Sequence, residues 1–364
     1  MIRRIDRYIV DLIIIFELLV ILTTILYSIK TAMYFLGAVI VLSYLLGVSL
    51  FFYTKLNIFS DKKTLFFYLL SIVSSLLYSF YLRDDMKNTL IFISGIMLLY
   101  YFYKRGLDKV NIYLLLLSCC IIILVIMINS TAPSNYDKKY YFRSVWENAN
   151  MAGIAVMSAL FPVVIGIFYV KKKFIKLFLF LLSILGVYLL ILTFNRGSLF
   201  SLIAFIMLLI LNRKYYKLKN IIRILFLLAP IIILVLFINY IVFYGDIQIL
   251  GKSIAQRPGW PLLFASILEN PFITYKLPSG GLNLFIAGTI EFGVLGIIAY
   301  TLLLINMNPK WELYSKIQYW HIAYFAFLVI FIQQSFENTI SDGAFGLYVY
   351  SYLLLGFANS NNGC

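Results

Sequence analysis

Apolar residues in this chain come in long blocks, not in alternation. Block after block of roughly 15–24 residues is separated by short polar stretches, and that is the length a helix needs to cross the hydrocarbon core of a bilayer. The ten-residue alternating segments of a membrane β-barrel are absent. The pattern predicts helices at about 9–29, 32–53, 65–82, 89–103, 112–130, 151–170, 174–194, 198–211, 221–244, 283–306, 319–333 and 343–358. The expected fold class is therefore all-α: a polytopic helical membrane protein with about twelve transmembrane helices. Residues 1–364 form a single integral membrane domain, with a long external loop at 245–282. No internal repeat appears, which disfavours a transporter built from repeated halves.

Composition sharpens this picture. With 63% hydrophobic and 12% charged residues, the chain is not a soluble globular protein. Its net charge of +15 does not imply nucleic acid, because the basic residues lie in small clusters between apolar blocks and not on one face. Counted at alternate helix ends, 20 of the 30 Lys and Arg residues fall on one side. That side includes Arg3, Arg4 and Arg7, then Lys171 to Lys173, and the run Arg213, Lys214, Lys217, Lys219 and Arg223. By the positive-inside rule this side is cytoplasmic and holds both termini. The first block, which contains Asp11 and Glu17 and lacks a small-residue cleavage pattern, is expected to be retained as a helix. Cys119, Cys120 and Cys364 make no disulfide framework, and with the single His321 they offer no metal-ligand set. No metal and no cofactor are expected.

Polar chemistry then gathers on the external side. Asn195-Arg196-Gly197 interrupts two apolar blocks with one guanidinium. Gly197 would allow a sharp reversal, and Ser198 would cap the next helix. Arg196 either contacts lipid headgroups or grips a phosphate with its planar fork. Asn148 and Asn150, entering the helix after the loop at 131–150, cap that helix or hydrogen-bond a sugar. The 245–282 loop carries Arg257 and Trp260, then Gly280-Gly281-Leu282-Asn283 at its end. Two external arginines would suffice to clamp a diphosphate. Counted from Asn283, Glu291 falls about two turns, roughly 12 Å, into the following helix, where a carboxylate needs a cationic partner. Gly293 and Gly296 follow it and suit close helix packing. Gln333, Gln334, Ser335, Glu337, Asn338, Ser341 and Asp342 form the last external polar stretch.

The order Asn148-Ala149-Asn150, Asn195-Arg196-Gly197, Arg257 with Trp260, Gly280-Gly281-Leu282-Asn283, and Glu291-Phe292-Gly293-Val294-Leu295-Gly296 resembles the O-antigen polymerase and ligase family of bacterial surface-glycan enzymes. The resemblance covers residues 146–300. It implies a metal-independent glycosyltransferase of the bacterial cytoplasmic (inner) membrane. Such an enzyme moves a glycan from an undecaprenyl-pyrophosphate carrier to an acceptor hydroxyl on the outer face, in capsule, exopolysaccharide or O-antigen synthesis. A flippase and a chain-length regulator are the partner proteins it implies, besides the lipid bilayer; nucleic acid is not a partner. Under it, Arg196 and Arg257 are expected catalytic residues; Glu337 and Asp342, which bracket a short polar break between two helices, are the further catalytic candidates, as the base. Asn148, Asn150, Trp260, Asn283 and Glu291 are the expected substrate-binding residues. Leu282 stands where the family's histidine precedes asparagine, which favours a repeat-unit polymerase over the alternative, an O-antigen ligase. A non-enzymatic flippase of the lipid-linked unit is the remaining alternative, and it would ask for ionisable residues along a central path.

Overall fold

The computed structural model describes residues 2–26, 29–50, 61–80, 86–131, 142, 149–210, 212–244, 248–249, 252–253, 283–307, 318–335 and 347–360. Among these the chain is helical throughout, apart from a two-residue antiparallel pairing of Gln248–Ile249 with Lys252–Ser253. The first seven helices are α1 (Ile2–Leu26), α2 (Ile29–Ser49), α3 (Lys62–Tyr78), α4 (Met86–Arg105), α5 (Lys109–Ser130), α6 (Ala149–Tyr169) and α7 (Lys173–Thr193). They are followed by α8 (Arg196–Ile210), α9 (Asn212–Leu227), α10 (Ala229–Tyr244), α11 (Leu284–Asn306), α12 (Tyr319–Gln333) and α13 (Leu347–Ala358). Five segments are long and apolar enough to cross a membrane: Ile5–Leu26, Lys30–Ser49, Lys109–Ser130, Asn150–Tyr169 and Lys173–Thr193. Arg196–Ile210, Phe292–Asn306, Tyr319–Gln333 and Val349–Ala358 are shorter apolar helices.

The surface of the bundle explains why so little of the sequence is polar. On α7, Leu177, Leu181, Ile184, Tyr188 and Ile191 recur at helical spacing and are exposed, while Leu179, Leu182, Gly186, Leu189 and Leu190 on the other face are buried. A helix apolar on both faces fits a bundle surrounded by lipid. The centre is α12, buried at every position from His321 to Phe331. It packs against α6, α8, α9, α10 and α13.

Nine helix ends meet at one end of the bundle. Asp6 on α1 accepts bonds from Ser49 at the end of α2 and from Tyr101 on α4. Asp61, the N-cap of α3, lies 3.8 Å from Lys104 on α4. Burial pushes the Asp61 carboxyl up, but bonds from the Thr64 hydroxyl and amide, with Lys104 and Tyr103, together hold it below the usual aspartate range. Thr64 donates to the Asn306 carbonyl at the end of α11. Asn111, in the first turn of α5, donates to the Arg7 carbonyl and to Asp11. Tyr169 at the end of α6 meets Tyr319 at the start of α12 and Phe357 near the end of α13. These are ends that the charge count assigns to one side.

Three expected boundaries differ. The 221–244 block begins earlier, at Asn212, and breaks at Leu228 into α9 and α10. Pro230, in the first turn of α10, explains the break: it has no N–H to donate and is tolerated where that donor has no partner. The basic run from Arg213 to Lys219, expected as a plain cytoplasmic connection, is therefore helix. The third difference is α11, which is not straight. Gly293 interrupts it with φ 76° and ψ 161°, and a Cβ built on Gly288 would stand 2.6 Å from Ile297 Cδ1. Residues nine apart in a straight helix are separated by about 13 Å, so the two arms fold toward each other.

Candidate functional site

The site is assembled at the end of the bundle opposite those nine helix ends. Its first part is the turn between α7 and α8. The left-handed residue there is Phe194, at φ 49°; Gly197, expected to make the reversal, is buried in the first turn of α8. Nor is Ser198 the cap. Asn195 takes that place: its Oδ1 accepts from the Ser198 amide at 2.8 Å, and its carbonyl accepts the first helical bond, from Leu199. An asparagine at this position satisfies one of the amides that a helix start leaves without a partner. Its Nδ2 donates to the Asn150 carbonyl at 2.7 Å and so ties α8 to the start of α6. Gly153 on α6 lies so close to Asn195 that a Cβ there would collide with the Asn195 side chain. Phe142, buried, donates its amide to the Leu192 carbonyl and seats part of the 131–150 connection on the same turn.

Arg196 is thus the first residue of α8, half-buried, at the positive end of the helix dipole. Ser198, two residues on, is fully buried with its hydroxyl unpartnered. The register of α8 on α12 sets the depth. Ser201 Oγ donates to the Val329 carbonyl at 2.8 Å. The two helices run antiparallel, since Tyr319 lies beside Tyr169 while Asn195 meets Asn150, at the other end of α6. Five residues back from Ser201 is Arg196, and five on from Val329 is Gln334. Arg196 and the end of α12 therefore lie at one level.

Gln333, Gln334 and Ser335 close α12 and are fully buried. Gln334 donates its side-chain amide to Gln333 Oε1, and Ser335 donates to the Phe331 carbonyl. Asn283 joins them. Its Oδ1 caps α11 through the Phe285 amide, and its Nδ2 donates to the Pro230 and Ser335 carbonyls at 2.7 and 3.1 Å. The Leu284 amide reaches the Gln334 carbonyl. Both protons of Asn283 Nδ2 are thereby spent, so this side chain fastens three helix ends together and keeps no donor for a sugar.

The bend in α11 moves Glu291. Gly293 packs on the ring of Tyr78, the last residue of α3, and Asn283 packs on Ser335, just past α12. Tyr78 and Ser335 each end a helix that starts at the opposite end of the bundle. The arm from Leu284 to Phe292 therefore runs across the site end, with Glu291 two residues before its corner. The expectation that Glu291 sits two turns deep assumed a straight helix and is corrected by this geometry. An ion pair of its side chain lies outside the described residues. Phe292 anchors the corner by stacking on Phe92, with ring centroids 3.8 Å apart.

Of the expected residues, the structure brings Arg196, Asn150 and Asn283 to one end, with Glu291 on the arm that crosses it. Asn148, Arg257, Trp260, Glu337 and Asp342 lie outside the described residues, as does Leu282. Sequence reasoning did not assign Ser201, which holds α8 to α12, or the buried orphan hydroxyl of Ser198. It counted Arg223 among the cytoplasmic-side charges, at the start of the 221–244 helix, and did not foresee that this residue is buried on α9. A guanidinium seven residues before a proline break was the available signal. Among the described residues, no three His, Cys, Asp or Glu side chains group as a metal site. Comparison with protein-family models, curated proteins and solved structures finds no match.

Proposed function

We propose that the protein is a polysaccharide repeat-unit polymerase of a bacterial cytoplasmic membrane. In this role it transfers a glycan from an undecaprenyl-pyrophosphate carrier to a lipid-linked repeat unit at the outer face. The observation that carries this reading is the convergence of Asn150, Asn195, Arg196, Asn283 and Gln333 to Ser335 at one end of a lipid-exposed helical bundle. A polyprenyl donor needs an apolar surround for its tail, and its diphosphate needs cations where the bundle ends. The reading keeps about twelve crossings, both termini cytoplasmic, and the 245–282 loop over the site.

In this reaction the acceptor hydroxyl attacks the anomeric carbon. The new glycosidic C–O bond forms as the bond to the pyrophosphate breaks, and the diphosphate leaves with its charge. Arg196, at the positive end of α8, is held by the Asn195 cap and the Asn150 tie. A donor fixed in this way stabilises a leaving oxyanion without reorganising. Arg257 is the proposed second cation and Trp260 a stacking surface for sugar. Glu337, then Asp342, are the proposed acceptors of the hydroxyl proton. Asn148 and Glu291 complete the substrate side. Asn283 is a positioning residue.

The test is polymer formation in membranes supplied with lipid-linked repeat units. Arg196→Lys keeps the charge but loses the planar fork, and activity is expected to fall by at least about a hundredfold with the protein still folded. Wild-type turnover in that variant would remove Arg196 from the reaction and the reading with it.

A further inference from the structure

The charge that this arrangement does not use is Arg223. It lies on α9 and is only 8% exposed. Its helical neighbours are turned the opposite way from what a basic amphipathic helix would show. Ile221 and Leu225 are exposed at 58% and 52%, while Arg223 and Leu227, one turn apart, face inward. An arginine that snorkels would carry its head to the membrane surface. This one points its charge into the bundle and its apolar neighbours outward, an arrangement that marks intramembrane charges with a task.

Among the described residues nothing offers the buried nitrogens of this guanidinium an acceptor. Its Nε and Nη1 are buried and make no hydrogen bond. Arginine cannot shed its proton to escape the cost, so a buried fork left in this state awaits an anion. The protein has little to offer it. Of the helices packed on α9, the sequences of α8, α10 and α12 contain no Asp or Glu. That of α11 contains one, Glu291, and it stands on the arm that crosses the site end. Arg223 also lies on the way to the site: Pro230, whose carbonyl is bonded by Asn283, is seven residues further on, about 10 Å along the helix.

We propose that Arg223 is an anion site inside the bundle that receives the phosphate of a lipid below the Asn283–Ser335 cluster. This rests on the polymerase reading for the identity of that lipid as the polyprenyl-pyrophosphate donor. The same chemistry also fits the headgroup of an anionic phospholipid. Arg223 thereby draws a phosphate-bearing lipid from the bilayer toward Arg196, and the unpaired charge is neutralised only in the loaded protein.

Thermal unfolding of the full chain in phosphatidylcholine nanodiscs tests this, with undecaprenyl pyrophosphate, undecaprenol or added phosphatidylglycerol as probes. Wild type is expected to be stabilised by undecaprenyl pyrophosphate and not by undecaprenol. Arg223→Met is expected to unfold at a higher temperature than wild type without an added probe, and to bind the pyrophosphate roughly tenfold to a hundredfold more weakly. Arg223→Lys should recover only part of that affinity. Stabilisation by phosphatidylglycerol alone, lost in Arg223→Met, supports the phosphate site, names the headgroup as its source and counts against the polymerase reading. Equal pyrophosphate binding by wild type and Arg223→Met overturns the inference and leaves that reading standing. A lower unfolding temperature for Arg223→Met than for wild type without an added probe also overturns it, since Arg223 would then be paired within the protein.

Discussion

Asn195 organises the site end more than the arginine beside it. One carboxamide caps α8, ties α8 to α6 and thereby sets where Arg196 begins. Asn283 does the same for α11, α12 and the α9–α10 break. Both residues were legible as polar interruptions, but their partners lie 45 to 53 positions away in sequence. Glu17 is the opposite case: a carboxylate fully buried on α1, with neither oxygen hydrogen-bonded. Tyr350 on α13, within its electrostatic reach, is also buried with an unpartnered hydroxyl. An unsatisfied buried polar group costs about 1–3 kcal/mol. Glu17→Leu is therefore expected to stabilise the detergent-solubilised protein by about that amount in thermal unfolding. A drop in stability instead would mean that the carboxyl is bonded in the membrane.

Among the elements, α11 departs furthest from its sequence pattern. Its 23 apolar-rich residues count as one straight span, yet Gly293 divides them into an arm across the site end and an arm along α3. Two facts make glycine necessary at the corner: a backbone in a region nearly closed to other residues, and a Tyr78 ring carbon 2.6 Å from where a Cβ would be. Gly293→Ala is expected to destabilise by roughly 1–3 kcal/mol from the backbone term alone. Adding Tyr78→Ala should relieve the collision and leave that strain. The double variant should therefore remain less stable than Tyr78→Ala when both are unfolded by heat in detergent; equal stability would show that the backbone is not strained there. The α9–α10 pair shows the converse. Pro230 is the signal for its break, which the reading of 221–244 as one helix passes over, while the inward turn of Arg223 depends on where α12 lies.

For the molecule as a whole, the gathering of nine helix ends gives the basic-charge alternation a physical counterpart. Asp61 with Lys104, Tyr169 with Tyr319, and Thr64 with Asn306 each join ends assigned to the same side by charge. In the proposed orientation the positive-inside rule turns these nine ends toward the cytoplasm. With Cys364 replaced by Ser, a cysteine at Ser253 is expected to react with a membrane-impermeant maleimide in intact cells. A cysteine at Lys172 should react only after the cells are opened. The reverse result would invert the protein in the membrane and place Arg196 inside the cell.

The amino-acid sequence by itself determined the helical class and the apolar lengths that suit a bilayer, and it predicts which helix ends share a side. These depend on hydrophobic length and local charge, which act residue by residue along the chain. It also marked Arg196, Asn283, Glu291 and Gly293 as interruptions of apolar blocks. Only the tertiary structure decided what they do. A cap is recognised by the amide it reaches, and a depth by the helix alongside. The corner at Gly293 is recognised by the Tyr78 ring that fills the space of its missing side chain. Arg223 shows the division most clearly. Its charge was visible from the start, but its burial without a partner follows from α9 packing on helices that carry almost no acid.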